Sequence, residues 1–196
     1  MNCDFNCSDV IIKKHFQKIT SKKDSIKLIL ISESLPQNIE DYFDGKGEPA
    51  FIKNTNTIFK FHGHDYETYD DYLNNGIYLT TAIKCIKKDY LVKAGTLKNC
   101  SFLLEKELDE FKNKKVIMLM GDFAIRSMNY IWKRKYNENV IPKGSTYKIR
   151  NEVFESKGIR FFPSYTHTGD SFGLEKSKVE MIKEDLGKAL EILNKV

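Results

Sequence analysis

The hydrophobic positions of the chain fall into two patterns: short unbroken runs, and longer stretches in which apolar residues recur every three or four positions. Four runs, at residues 27–31, 77–80, 116–120 and 160–163, are four or five residues long and bounded by charge or turn residues, the signature of strands buried on both faces. Helical spacing occupies residues 8–19, a stretch around 69–73, and residues 96–111 and 122–136. A last helix is expected over residues 174–194, where Val179, Ile182, Leu186, Ala189, Leu190 and Leu193 step along one face. Residues 43–76 and 137–150 read as irregular loops, and neither an internal repeat nor a domain boundary is visible.

Strands that alternate with helices imply right-handed crossovers and a parallel sheet covered on both faces. The expected fold class is α/β, a three-layer α/β/α sandwich with a central, mainly parallel four-stranded sheet, in one domain over residues 1–196. Ligands of such folds sit at the carboxyl ends of the strands. That rule singles out residues 32–51, 81–85, 121–124 and 164–170.

Composition adds exclusions. With 41% hydrophobic and 12% aromatic residues against 30% charged, the chain has enough apolar surface to offset its conformational entropy, which excludes global disorder. Only 4 prolines and 11 glycines exclude collagen-like and linker-like readings. A net charge of +5 permits a polyanionic partner without requiring one. No apolar run approaches the roughly 18–20 residues that span a bilayer, and Met1-Asn2-Cys3-Asp4 has no basic flank or apolar stretch after it. A cytoplasmic protein without a membrane partner is expected, and in a reducing compartment its 4 cysteines are candidates for metal ligation or plain thiols, not disulfides.

Cys3 and Cys7 form a close pair, and Cys85 and Cys100 a second, wider one. Four thiolates converging on one point would suit a cubane iron–sulfur cluster, and the same four would suit tetrahedral zinc. Four unrelated thiols, with Cys85 and Cys100 as small core residues, is the alternative that spacing alone leaves open. His62 and His64 form a pair with no cysteine nearby in sequence and are read as part of a polar loop.

Taken together, several stretches resemble one family in order. They are the Cys3/Cys7 pair, Ile31-Ser32-Glu33-Ser34-Leu35-Pro36, Glu40-Asp41, Gly47-Glu48-Pro49-Ala50-Phe51, and Tyr78-Leu79-Thr80-Thr81-Ala82-Ile83-Lys84-Cys85. Asn99-Cys100, Gly121-Asp122-Phe123-Ala124 and Tyr165-Thr166-His167-Thr168-Gly169 follow. This collinear set resembles the uracil-DNA glycosylase superfamily, specifically its iron–sulfur branch, family 4, across nearly the whole chain. The resemblance implies a [4Fe–4S] cluster on Cys3, Cys7, Cys85 and Cys100, with zinc or no metal as the alternative. It further implies a hydrolytic, monofunctional DNA glycosylase acting on DNA that contains uracil or another deaminated base, working as a monomer.

Breaking the bond between a base and deoxyribose develops a sugar cation and a base anion, so negative charge is needed near the sugar and donors near the base. The resemblance implies catalysis by His167, donating to the base oxygen that gains charge, and by a water-orienting acid among Glu33, Glu40 and Asp41, between which it does not choose; Glu33 and Asp41 are the candidates carried forward. Ser34, Phe51 and Thr81 are the implied substrate-binding residues, Phe51 as the stacking ring. Phosphate contacts are expected from the Gly121 amide and the Ser164 and Thr168 hydroxyls. The sequence also departs from the family. Ser32 replaces a glycine, Thr81 replaces the uracil-reading asparagine, and Thr168-Gly169 replaces Pro-Ser. A glycosylase for hypoxanthine or xanthine, a binding module of the same fold without the chemistry, and a small metal-binding or redox protein are the alternatives.

Overall fold

The computed structural model describes residues 3–11, 15, 22–169 and 172–195. Its centre is a six-stranded sheet formed by β1 (Val10–Ile11), β2 (Leu28–Leu35), β3 (Ile77–Lys87), β4 (Val116–Met120), β5 (Phe154–Ser156) and β6 (Ile159–Ser164). The strand order is β1-β3-β2-β4-β6-β5. The inner four, β3, β2, β4 and β6, are mutually parallel, and the two short edge strands pair antiparallel. The mainly parallel four-stranded core is therefore present, with one edge strand added on each side.

Among the described residues six α-helices cover the sheet: α1 (Ala50–Lys60), α2 (Tyr69–Asn74), α3 (Ala94–Leu108), α4 (Asp122–Tyr136), α5 (Thr146–Ile149) and α6 (Lys176–Leu193). Period-two alternation along the strands feeds two separate cores. Ile29 and Ile31 of β2, with Ile117 and Leu119 of β4, pack under Leu97, Leu104, Met128 and Ile131 of α3 and α4. Leu28 and Leu30, with Val116 and Met118, face Ile58 and Phe59 of α1, Tyr72 of α2, and Ile182 and Leu186 of α6. Because each inner strand buries both faces, its sequence reads as an unbroken apolar run, which is the pattern that located it.

Several expectations are corrected. Residues 8–11 are not helical, since Val10 and Ile11 pair with Lys87 and Ile86 and satisfy the outer edge of β3; residues 12–14 and 16–19 of that expected helix lie outside the described residues. β3 does not stop at Thr80 but runs to Lys87, so Thr81 and Cys85 belong to a strand and not to the loop after it. Inside the region read as irregular, α1 forms because Phe51, Ile52, Thr55, Ile58 and Phe59 fall on one buried face. β5 and β6 are joined by Lys157-Gly158, both at positive φ (54° and 72°), the conformation of a tight two-residue hairpin turn. Among the described residues no helix is long and apolar enough to cross a membrane.

Candidate active site at the carboxyl edge of the sheet

The parallel registers align Ser32 of β2 with Thr81 of β3, and Met120 of β4 with Ser164 of β6. One residue beyond that row, Glu33 turns its carboxyl toward the start of α4. There Phe123 N–H donates to Glu33 Oε1 at 3.3 Å. Gly121, which precedes the helix at φ 107°, leaves the space the carboxyl occupies, because a Cβ on Gly121 would come within 2.7 Å of Glu33 Cγ and Oε1. Burial raises the Glu33 carboxyl above the ordinary glutamate range; the Phe123 and Asp122 amides and the Lys87 ammonium oppose that rise, and the Asp122 carboxylate adds to it. Lys87 also lies over the Phe123 ring, 5.1 Å from its centroid. Sequence reasoning missed Lys87, although its place at the end of β3 on the ligand edge was the available signal.

The Gly121 amide donates to Ser164 O at 3.0 Å, tying the end of β4 to the end of β6. That bond occupies the amide expected to meet phosphate. The Ser164 hydroxyl is likewise engaged, donating to Asp185 Oδ2 at 2.7 Å from a fully buried position. Asp185 is held in turn by Arg150, 2.8 Å away, which also pairs with Glu184. Ser164 is thus an internal tie between β6 and α6. Thr168 remains half-buried in the loop beyond.

That loop brings His167 into the interior, with 0% of its surface exposed. Its Nε2 lies 2.9 Å from Thr55 Oγ1, and Thr55 Oγ1 donates to Phe51 O at 2.6 Å. His167 Nδ1 has no hydrogen-bond partner. Burial pushes the imidazole down to about 3, so the ring is neutral at physiological pH. His167 and Phe51, far apart in sequence, are therefore joined through Thr55 of α1, a residue that sequence reasoning did not single out.

Phe51 itself is 5% exposed and packs its ring 6.0 Å from Tyr42 and 5.3 Å from Phe43, as a core aromatic. Phe43 and Tyr69, not Phe51, line a half-open cleft of about 230 Å³ with Gly47, Pro49 and Ile52. Thr81 is fully buried and donates to Ile83 O at 3.1 Å. Ser34 is buried in β2, next to the register shift where Ser34 pairs with Ile83 and Leu35 with Ile86. Glu40 and Asp41 lie on a short 3₁₀ turn, where Glu40 accepts from Lys46 N–H at 3.2 Å and its own amide donates to Asn38 Oδ1. His62 is 2.8 Å from Lys183 O, and His64 contacts Tyr66 at 3.4 Å, in keeping with a polar loop.

Cys3, Cys7, Cys85 and Cys100 line one apolar cavity of about 10 Å³ beside Phe5 and Val10, and none of them is in a disulfide. Asn99 Nδ2 donates toward Cys7 Sγ at 3.8 Å. Burial pushes the Cys100 thiol up to about 12, the Lys84 amide opposes this, and the neighbouring Cys85 and Cys7 add to it. Four sulfurs are the right set for a thiolate-bound metal. The cavity is about the size of one water, and among the described residues no group of three or more His, Cys, Asp or Glu is placed to hold a metal ion.

The family model described as "Uracil DNA glycosylase superfamily" matches residues 27–184. No curated protein matches the chain.

Proposed function

Because the chain belongs to the uracil-DNA glycosylase superfamily, we propose that it hydrolyses the N-glycosidic bond of a deaminated base in DNA, with Glu33 as the residue that handles water. The observation that carries this reading is the placement of Glu33: a largely desolvated carboxyl at the carboxyl edge of the sheet, against Gly121 and with Lys87 close by. A carboxyl whose hold on a proton is strengthened by burial is better suited to general base work than an ordinary solvated one. In the reaction the C1′–N bond breaks, water oxygen bonds to C1′, Glu33 takes the water proton, and the base leaves with the bonding electron pair. The carboxylate also balances the sugar cation formed on the way.

The extruded base needs a slot with flat apolar walls. The cleft lined by Phe43, Pro49, Ile52 and Tyr69 supplies aromatic and aliphatic surface, and Asp44, Glu67, Thr68 and Asp70 add a polar rim. Asp41, Ser34 and Thr81 take lesser roles in this reading. Thr81 and Ser34 are buried strand residues, and Asp41 sits on the turn that precedes the cleft residues Phe43 and Asp44.

The four cysteines are read as ligands of a structural metal centre, an iron–sulfur cluster or a zinc ion, on the strength of their donor set. When bound, such a centre supplies a cross-link and no step of the hydrolysis. It would fasten the 3–11 segment to β3 and α3. Comparing base release from duplexes containing uracil and hypoxanthine tests the reaction and its base preference together: release of either, leaving alkali-labile sites, supports the reading, and intact DNA in both cases removes it.

A further inference from the structure

We infer that Tyr90 and Leu91, in the loop between β3 and α3, form an apolar wedge that enters duplex DNA beside the extruded nucleotide. The inference rests on the glycosylase reading above and deepens it. The two most exposed large apolar side chains among the described residues are Tyr90 and Leu91, at 95% and 82%, and they are neighbours. Single exposed apolar residues are ordinary on a protein surface. An adjacent pair is a different matter when the chain on both sides of it is fastened. On one side Gln37 Nε2 donates to Lys87 O at 3.0 Å, and the Lys88 amide donates to Asp9 O at 3.2 Å. On the other, Val92 is buried in the core and the Lys93 amide donates to Asp9 Oδ2 at 2.6 Å. The base of the loop is thus held at both ends, while residues 88–91 between them stay exposed.

Position and charge identify the occupant. The loop leaves the carboxyl end of β3 at Lys87, whose ammonium lies over the Phe123 ring and acts on the Glu33 carboxyl. Three Cα–Cα steps of about 3.8 Å keep the Tyr90 backbone within about 11 Å of that of Lys87, so the wedge and the reacting nucleotide belong to the same stretch of DNA. Lys87, Lys88 and Lys93 flank the pair, with Asp89 the only acidic residue of 87–93. The Lys88 and Lys93 ammonium groups donate to Ser8, an uncharged partner, at 2.6 and 3.0 Å. Asp9 offsets part of the Lys93 charge, and the positive charge that remains attracts phosphate. A base taken out of the stack leaves a gap with flat apolar walls. A ring and an aliphatic side chain inserted there hold the neighbouring bases apart and oppose return of the extruded one. An aromatic ring stacks on any base, so this contact follows the gap and not the sequence around it.

The test compares the full chain with its Tyr90→Ala/Leu91→Ala double variant, whose exposed substitutions leave the core untouched, and reads two quantities. The first is the ratio of uracil release from duplex to release from single-stranded DNA, since only a duplex has a paired stack to part. The second needs no cleavage: the preference in binding for a duplex carrying a tetrahydrofuran abasic analogue, where the gap already exists, over the same duplex intact. Both are expected to fall by about 10-fold or more in the double variant, the scale of one lost base–aromatic stack, with an unchanged urea midpoint. Tyr90→Phe, which keeps the ring, is expected to retain both. A folded double variant with both quantities unchanged overturns the inference; a wild-type dimer that the same substitutions dissociate would then make the pair a contact between copies. A wild type that binds neither duplex overturns it as well. A wild type that releases no base but prefers the abasic analogue through Tyr90 and Leu91 would instead remove the glycosylase reading and leave the wedge standing.

Discussion

Glu33 and Gly121 occupy one another's space: the carboxyl of the first lies where the side chain of the second would be, 2.7 Å from an added Cβ. Gly121 also sits at φ 107°, a conformation that residues with a side chain rarely adopt. Gly121→Ala is therefore expected to cost about 1–3 kcal/mol of stability and to push Glu33 off the start of α4. Denaturant unfolding measures the first effect. Base-release kinetics measure the second, with a loss in kcat larger than the loss of folded protein.

A neutral buried His167 makes the protein sensitive to acid. The unfolded chain takes up a proton on this ring below the usual 6.5, while the folded one resists until about 3. Between those values the unfolded state binds one more proton, so stability falls as pH falls, by up to about 1.4 kcal/mol per pH unit from this group. Unfolding measured from pH 7 to 4 should show a shallower slope in His167→Asn by close to one proton.

The ion pair between Lys84 of β3 and Glu107 of α3 is almost wholly buried, at 3% and 5% side-chain exposure. Glu107 Oε1 also accepts from Tyr78 at 2.5 Å and from Thr80 at 2.8 Å. Lys84→Met leaves the carboxylate without its cation and is expected to destabilise by about 3–5 kcal/mol, whereas Lys84→Met with Glu107→Leu recovers most of that loss. Urea midpoints of the two variants check this. Equal destabilisation in both would mean that packing, not uncompensated charge, sets the cost.

This buried pair also shows where sequence reading stops. Residues 116–120 and 122–136 were legible to the residue, because each buries its apolar positions at the period of its own backbone. The end of β3 was not. Thr81 and Lys84 look like loop residues until Glu107, from another element, arrives to satisfy Lys84 and the Thr80 before them. Helix α1 was hidden for a related reason. Its AFIKNTNTIFK sequence is poor in strong helix formers, and only the sheet beneath it turns a weak local preference into a helix. In the site, Glu33 and His167 were legible as polar residues after buried strands. Thr55 was not, because its role depends on a ring 112 positions away.

The cysteine cavity makes a separate prediction. Protein prepared without oxygen is expected to carry iron with sulfide, or one zinc, and to lose it in Cys7→Ser and in Cys100→Ser. Stripped of metal, Cys100 should be slow to alkylate near pH 8, since a thiol pushed up to about 12 is almost entirely protonated there. Metal analysis of wild type and variants decides. A metal-free wild type, purified under argon, would make the four cysteines core residues.

The most direct measurement is the release of free base from uracil-containing DNA by the wild type and by Glu33→Gln, which keeps the shape of the side chain and removes its capacity to take a proton. The account predicts release by the wild type and a fall of about 10²-fold or more in kcat for Glu33→Gln, with DNA binding retained. A wild type that leaves the DNA intact, or a Glu33→Gln protein that cleaves at the wild-type rate, would contradict it.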